Sequence, residues 1–219
     1  MSEFSLVTSA HEAAERYKSF LGGGQLIQNG WHQERDGRQL ACALGVLGGA
    51  VDSPSRCPAQ VMPRWLAQMV PGFFDRQRFE DAKSWGLALY EQLDRLDGNV
   101  PFSVVYAWQA NTVGPFAIEL AEKQGRKVGP HKALAEMQWK ALTGEKFTAD
   151  EWRPILKDAF YDIYFWRYRA YANAYANANA YAYANADAYS TANANAYADA
   201  WKRLADGMIE ALKRVEYVK

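Results

Sequence analysis

Apolar residues recur at helical spacing in several separate segments of the first 150 residues. Ser9 to Phe20 has this spacing and precedes the glycines Gly22 to Gly24, which typically end a helix. Phe79 to Leu96 is the clearest amphipathic segment, because its apolar side chains fall mostly on one side. No segment of these 150 residues alternates between apolar and polar residues as a half-buried strand does. The pattern predicts an all-α fold with a compact multi-helix body over residues 1–150.

Two segments of this body carry apolar residues almost continuously. Gln39 to Gly48 is apolar nearly all round, which predicts a fully buried core helix. Ala59 to Val70 is predicted to be helical, with Pro63 in its first turn, and to stop before Pro71. Shorter helices are predicted over residues 102–108, 116–123 and 132–142.

The C-terminal third has the most unusual pattern. In residues 171–200 every even position is alanine except Ser190, and the odd positions hold mainly Tyr, Asn and Asp. Strict alternation is ordinarily a strand signal, but alanine favours helices and is depleted in strands. Upstream, Thr148 to Glu151 has the form of a capping box, which begins helices. We therefore predict a long helix over residues 151–219, which would be about 95 Å long at 1.5 Å per residue if it ran unbroken from about residue 153 to 217.

Most aromatic residues of this tract fall on one side of a helical wheel drawn at about 100° per residue. A body of 150 residues is only about 40 Å across, so we expect that it cannot cover the aromatic side of such a helix. Three outcomes stay open: pairing with another copy, a fold-back near Ser190, and a solvated, aggregation-prone tract. Pairing is favoured, which predicts a homo-oligomer held by a coiled-coil-like contact. The candidate oligomerisation residues are Tyr171, Tyr175, Tyr183, Tyr189, Tyr197 and Trp201.

Composition and charge exclude several classes of protein. With 49% hydrophobic residues among 219, the chain can build a core. Lys plus Arg and Asp plus Glu are both 25, so no net positive charge favours binding to duplex nucleic acid. The longest apolar run, Leu40 to Val51, is shorter than the roughly 20 residues of a membrane-spanning helix, and the N-terminus lacks the apolar region of a signal peptide. We expect a cytoplasmic protein without a membrane or duplex partner.

The densest polar cluster, Gly30 to Cys42, directly precedes the predicted buried helix. Unpaired amides at a helix start and nearby guanidinium groups suit a phosphate, and an indole can stack on a base. The cluster therefore predicts a pocket for a small anionic nucleotide. The alternative is an ordinary loop in which Asp36 caps the helix and Arg38 is solvated. The candidate ligand-binding residues are Trp31, His32, Arg35 and Arg38.

The sequence offers little for catalysis or metal binding. His32, Cys42, Cys57 and His131 are residue types that bind zinc, but their spacing fits no metal motif. We expect no metal, no other cofactor and no catalytic residue, since no catalytic motif has the correct spacing. A hydrolase that uses His32 with a carboxylate is a further alternative.

A set of short motifs lies within about residues 30 to 75. They are Trp31, Asp36-Gly37-Arg38, Ala41-Cys42, Cys57-Pro58-Ala59, Met62-Pro63 and Trp65-Leu66-Ala67. This combination resembles a group of uncharacterised proteins encoded by bacteriophages and prophages. The C-terminal tract resembles the tails of that group only in composition, because their alanine-rich tails are usually acidic or plainer. The resemblance implies a phage accessory setting and carries over no activity and no site.

The leading hypothesis is a non-enzymatic phage accessory protein that self-associates through its C-terminal helix. Such a protein could counter host defence by holding a host protein or a small signalling molecule. One alternative is a nucleotide sponge that uses the cluster at residues 30–42. Another is a structural or assembly protein.

Overall fold

Helices make up most of the structure, a computed structural model that describes residues 4–162 and 186–216. The mostly α-helical fold with a C-terminal helix is confirmed. A π-helical segment, Gln109–Val113, joins the fourth and fifth helices, and 3₁₀ turns occur at Gly45–Leu47 and Pro54–Arg56. The helices are α1 (Ala10–Gly22), α2 (Arg64–Asp75), α3 (Phe79–Arg95), α4 (Ser103–Trp108), α5 (Gly114–Lys123), α6 (Gly129–Leu142), α7 (described over residues 149–162) and α8 (Ala186–Lys213).

The chain divides into two compact units, and the division differs from the predicted one at residue 150. Unit 1 comprises Met1–Pro101 together with Tyr197–Lys219, and unit 2 comprises Phe102–Ala196. The chain therefore leaves unit 1 after Pro101 and rejoins it with the C-terminal part of α8. The periodicity of the sequence shows that this part of α8 has an apolar face, but not which part of the chain covers it.

In unit 1, α1 packs closely on α3. Ser9 caps α1 by accepting the amide of Glu12 at 3.1 Å, and the helix ends at Gly22 as predicted. The ring of Tyr17 stacks on that of Tyr90 with centroids 4.9 Å apart, and both rings are fully buried. The hydroxyls donate to backbone carbonyls, Tyr17 to Lys83 at 3.0 Å and Tyr90 to Ala43 at 2.6 Å, so neither is left unsatisfied in the core.

A two-stranded antiparallel hairpin lies where the sequence predicted no strand. Strands β1 (His32–Arg35) and β2 (Arg38–Ala41) are joined by Asp36 and Gly37, both with positive φ, 54° and 73°. Two such residues form a type I′ turn, and the Asp-Gly dipeptide favours it strongly. The prediction that Asp36 caps a helix is wrong, because it occupies this turn.

The predicted core helix at Gln39–Gly48 is also wrong, although the segment from Leu40 to Gly48 is buried. Ala41 donates its amide to the carbonyl of Gln25 at 3.0 Å, and its carbonyl accepts the amide of Ile27 at 3.0 Å. These bonds hold the backbone extended. The apolar run is buried by strand pairing and a short 3₁₀ turn rather than by a helix.

Helix α2 extends past the proline at which it was predicted to stop. It begins at Arg64, with Pro63 as its N-cap, and Pro71 lies inside it. An internal proline removes a hydrogen bond to the carbonyl four residues earlier and costs about 3 kcal/mol. The helix continues because Val70, Phe73 and Phe74 are buried, and full burial of one such side chain contributes about 1.5–3 kcal/mol.

The C-terminal part of α8 packs on unit 1 along a face of small and aliphatic residues. Trp85 of α3 donates its indole N–H to the carbonyl of Ala205 at 2.9 Å. Arg95 at the end of α3 donates to the carbonyls of Leu212 and Val215 at 2.7 and 2.9 Å, which satisfies the end of α8. The residues of α8 that this packing buries are Ala205, Met208, Ile209, Ala211 and Leu212.

Trp201 is half-buried against the same unit. Its ring lies 6.3 Å from that of Phe73 in an edge arrangement, and the guanidinium of Arg76 lies 4.7 Å from the centre of its ring. The expectation that the chain's own body cannot cover this side of the helix is therefore wrong for the part that follows Trp201. Tyr197, one turn earlier, is 52% exposed.

The alanine-alternating tract is helical over its described part. Helix α8 runs through Ser190 and Thr191, so of the three outcomes left open the fold-back near Ser190 does not occur. The helix propensity of alanine outweighs the strand signal of the alternating pattern, as the sequence predicted. Tyr189 lies on this helix, whereas Tyr171, Tyr175 and Tyr183 lie outside the described residues.

In unit 2, the predicted capping box begins α7. The Thr148 amide donates to the Glu151 carboxylate at 2.7 Å, and the Glu151 amide donates to the Thr148 hydroxyl at 3.3 Å. The hydrogen bonds that the Thr148 amide and hydroxyl donate to this carboxylate lower the pKa of Glu151. The aromatic ring of Trp152 stacks on that of Tyr106 from α4, with centroids 6.4 Å apart. The predicted start of this helix is confirmed.

The sequence placed Trp201 and Tyr197 in one aromatic stripe, which is formed by the six candidate oligomerisation residues on one side of the helix. The two residues nevertheless differ in burial. We expect Trp201→Ala to lower the free energy of unfolding by about 2–3 kcal/mol, because it empties the space between Phe73 and Arg76. Tyr197→Ala should change it by about 0.5 kcal/mol, as an exposed substitution does. Urea unfolding followed by circular dichroism measures both. Equal losses for the two variants would contradict the observed packing of α8.

Candidate functional site

A cavity of about 310 Å³ lies in unit 1, between the residues that flank the hairpin and helix α2. Its wall is mostly apolar and includes two aromatic residues and one carboxylate. This composition is typical of small-molecule sites, and the volume lies at the lower end of their usual range of about 300–1,000 Å³. The lining residues are Asn29, Gly30, Trp31, Cys42, Ala43, Leu44, Val70, Pro71, Phe74 and Asp75.

The segment before the hairpin is held to the end of α2 by one backbone hydrogen bond. Asn29 has a φ of 61°, a left-handed conformation that asparagine tolerates better than most residues. In this conformation its amide donates to Oδ1 of Asp75 at 3.0 Å. The bond fixes the carboxylate at the edge of the cavity beside Trp31.

Trp31 is fixed through its backbone. Its carbonyl accepts the amide of Cys42 at 3.1 Å, across the open end of the hairpin. Gly45 approaches this carbonyl so closely that a Cβ atom there would lie 2.2 Å from the oxygen. Only glycine fits at position 45 without moving Trp31.

Burial acts in the same direction on the two titratable groups in the wall, because it raises both pKa values. Burial raises the pKa of Asp75, although the hydrogen bond from Asn29 and the positive charge of Arg76 act in the opposite direction. Burial also raises the pKa of the Cys42 thiol, against a hydrogen bond from the amide of Gly45 at 3.3 Å. Cys42 is therefore protonated near neutral pH and is a weak nucleophile.

The four predicted ligand-binding residues do not form one site. Trp31 lines the cavity, whereas His32 donates from Nε2 to the carbonyl of Gly45 at 3.0 Å and lies edge-on to the ring of Phe4. Arg35 and Arg38 are paired across the exposed tip of the hairpin and do not line the cavity. The predicted helix N-terminus near Gln39, which we expected to bind a phosphate, is not formed, because strand β2 occupies this segment.

Sequence reasoning missed the half of the site that comes from α2. Val70, Pro71 and Phe74 follow a helical apolar pattern that indicates a core, and nothing in it marks a cavity wall. Asp75 is the first charged residue after this apolar run, which is a weak signal by itself. Its pairing with Asn29, 46 positions away, depends on tertiary structure.

Unit 2 contains a second feature that the sequence did not reveal, a buried charged cluster. Asp162 accepts hydrogen bonds from Arg126 and from Nε2 of His131, the latter at 3.0 Å. The side chains of Arg126, His131 and Asp162 are 8%, 2% and 12% exposed. The cluster links the loop after α5 and the first turn of α6 to α7, so we assign it a structural role.

The carboxylate of this cluster is held ionised. Burial alone would raise the pKa of Asp162, but the hydrogen bonds from His131 and Arg126 and the charge of Arg126 outweigh it, so the pKa is lowered. Among the described residues, no group of three or more His, Cys, Asp or Glu side chains is placed to bind a metal ion. None of the described helices has the length and apolar character needed to cross a membrane.

No known protein family, curated protein or solved structure matches this chain. The site must therefore be interpreted from its own geometry.

The lowered pKa of Asp162 predicts that the protein loses stability when this side chain loses its charge, either by substitution or by protonation in acid. We expect Asp162→Asn to lower the free energy of unfolding at pH 7 by about 1–3 kcal/mol, because it replaces the charged acceptor of the hydrogen bonds from Arg126 and His131 with a neutral amide. The stabilisation is fully present above the ordinary pKa of 3.8 and is lost as the pH falls through the lower folded value. Chemical unfolding of both proteins between pH 7 and 2.5 measures the difference.

Asp158→Asn provides the matched control, because Asp158 is an exposed carboxylate on the same helix. It should leave the stability within about 0.5 kcal/mol at every pH. If Asp162→Asn behaved in the same way, the cluster would contribute nothing to the fold.

Proposed function

We propose that this chain is a non-enzymatic binding protein whose ligand occupies the cavity lined by Trp31 and Asp75. The observation that carries the proposal is the cavity itself, an apolar space of about 310 Å³ with an aromatic residue and a carboxylate in its wall. Such a combination provides apolar burial for affinity and one polar group for orientation.

The chemistry of the wall supports binding rather than catalysis. The Cys42 thiol is protonated because burial raises its pKa. His32 donates to a backbone carbonyl and has no carboxylate partner among the described residues, so the hydrolase alternative has no support there. A general base and an activated nucleophile would have to lie within hydrogen-bond reach of each other.

The proposal can be tested by filling the cavity at Gly30. A Cβ atom at this position would meet only Ile27, at 3.7 Å, so a side chain can be added without backbone strain. We expect the wild-type chain to bind benzyl alcohol, an uncharged probe of eight non-hydrogen atoms, with a dissociation constant of about 1 mM. Gly30→Trp should weaken this binding at least about tenfold, measured by ligand-observed NMR titration.

Gly22→Trp is the control, because nothing lies within 4 Å of the added Cβ and the residue is remote from the cavity lining. It should bind benzyl alcohol as the wild type does. Absence of binding by the wild type, or equal binding by the Gly30 variant, would remove the cavity as a ligand site.

A second proposal, self-association through the C-terminal helix, is favoured by the exposure of Tyr197. This residue belongs to the predicted aromatic stripe and is 52% exposed although its neighbour Trp201 is packed on unit 1. Exposed tyrosine is enriched at contacts between proteins. The partner we propose is a second copy of this chain.

Light scattering of the full chain at increasing concentration tests this second proposal. We expect an oligomer whose apparent molar mass falls in Tyr197→Ser, because the substitution removes aromatic contact area. Leu6→Ser is the control, since Leu6 is exposed to a similar extent, 47%, outside the stripe. A strictly monomeric wild type would exclude self-association. An equal effect of both variants would exclude the aromatic stripe as the contact surface between copies.

A phage accessory role, including action against host defence, is supported only by the resemblance in residues 30–75. The nucleotide-sponge alternative keeps Trp31 as a stacking surface. Against it, the charged group in the cavity wall is the carboxylate of Asp75, which repels phosphate.

A further inference from the structure

We infer that the cavity selects a small ligand that carries a positive charge on an apolar body, such as an aromatic or alkyl ammonium ion. The inference rests on the proposed function and adds the chemical class of the ligand. It depends on three properties of the wall: a carboxylate with unused hydrogen-bonding capacity, a local field of negative sign, and aromatic surface.

The carboxylate of Asp75 has capacity to accept a ligand donor. Oδ1 accepts the amide of Asn29 at 3.0 Å, and Oδ2 receives no hydrogen bond or ion pair from the described residues. A carboxylate has about four acceptor positions. An ammonium or guanidinium group in the cavity would therefore find an acceptor that the protein itself leaves available.

The charges around the cavity favour a cation. Among the described residues that line it, Asp75 is the one acidic side chain, and none is Lys, Arg or His. Asp75 is also the last residue of α2, and the C-terminal end of a helix carries a negative partial charge. The nearest arginine in sequence, Arg76, stacks its guanidinium on Trp201 and does not line the cavity.

The aromatic residues of the wall act in the same direction. Trp31 and Phe74 both line the cavity. The face of an aromatic ring attracts a cation, most strongly for tryptophan, by about 0.5–2 kcal/mol. An ammonium ion on an apolar body would gain from the rings and from the carboxylate together, whereas an anion would gain from neither.

The burial of Asp75 gives a physical reason for a cationic ligand. Burial raises the pKa of this carboxyl group, so its ionised form is under-solvated in the absence of a ligand. A cation in the cavity would supply the missing countercharge. A neutral ligand would displace water from the carboxylate without replacing the lost interaction.

Three probes of nearly the same shape test the inference: benzylammonium, benzyl alcohol and benzoate, each titrated against the full chain at pH 7. We expect benzylammonium to bind about tenfold more tightly than benzyl alcohol, because a hydrogen bond to a charged acceptor contributes about that factor. Benzoate should bind most weakly. The dissociation constants are measured by ligand-observed NMR or by calorimetry.

Asp75→Asn separates a role in charge selection from a role in folding. The substitution keeps the shape of the side chain and an oxygen that accepts the Asn29 amide, but it removes the charge. Benzylammonium should then bind no more tightly than benzyl alcohol, and benzyl alcohol should bind as it does to the wild type. Glu34→Gln, an exposed carboxylate on β1, should leave all three constants unchanged. Trp31→Leu should weaken benzylammonium more than benzyl alcohol.

The outcomes distinguish the inference from the proposed function. If benzyl alcohol binds as tightly as benzylammonium in the wild type, the cavity is a ligand site without charge selection and the inference is overturned. If benzoate binds most tightly, the ligand is anionic and the inference is again overturned. If none of the three probes binds, the proposed function itself fails.

Discussion

Packing of the buried face of α2 is the constraint on which unit 1 depends. At about 100° per residue, Val70, Pro71, Phe74 and Asp75 fall within roughly 140° of one another and line the cavity. Gly72, Phe73 and Arg76 fall on the other side, where Trp201 of α8 packs. The buried residues of α2 lie between these two contacts, and their burial explains why the helix continues past an internal proline. They are Leu66, Ala67, Val70, Phe73 and Phe74.

This arrangement connects the C-terminal helix to the candidate site without any direct contact between α8 and a ligand. Phe73 packs on Trp85 and Trp201, and the next residue, Phe74, lines the cavity. A loss of packing on the α8 side would therefore loosen the wall of the cavity. Removing the chain beyond residue 169 would expose Phe73 and the indole N–H of Trp85, so it would disturb unit 1 as well as any association through the tract.

The sequence predicts those parts of the fold that local physical chemistry decides. Ser9, the glycines after α1, the amphipathic pattern of α3 and the Thr148–Glu151 capping box each specify a helix boundary or a helix face. The hairpin was missed because its strands do not alternate, although Asp36-Gly37 carried the signal for its turn. Pairing of Asn29 with Asp75 and of Arg126 with Asp162 depends on long-range contacts, which no local pattern specifies. The candidate site was therefore predicted at Trp31 and missed at α2.

The helical register of α8 limits how the length of the alanine-alternating tract can vary. Adding one Ala-Xaa pair between Ala186 and Trp201 would rotate all preceding residues of that helix by about 200° relative to Trp201. Two pairs together produce a net rotation of only about 40°, because four residues are close to one helical turn. Insertion of two pairs should thus be tolerated far better than insertion of one pair.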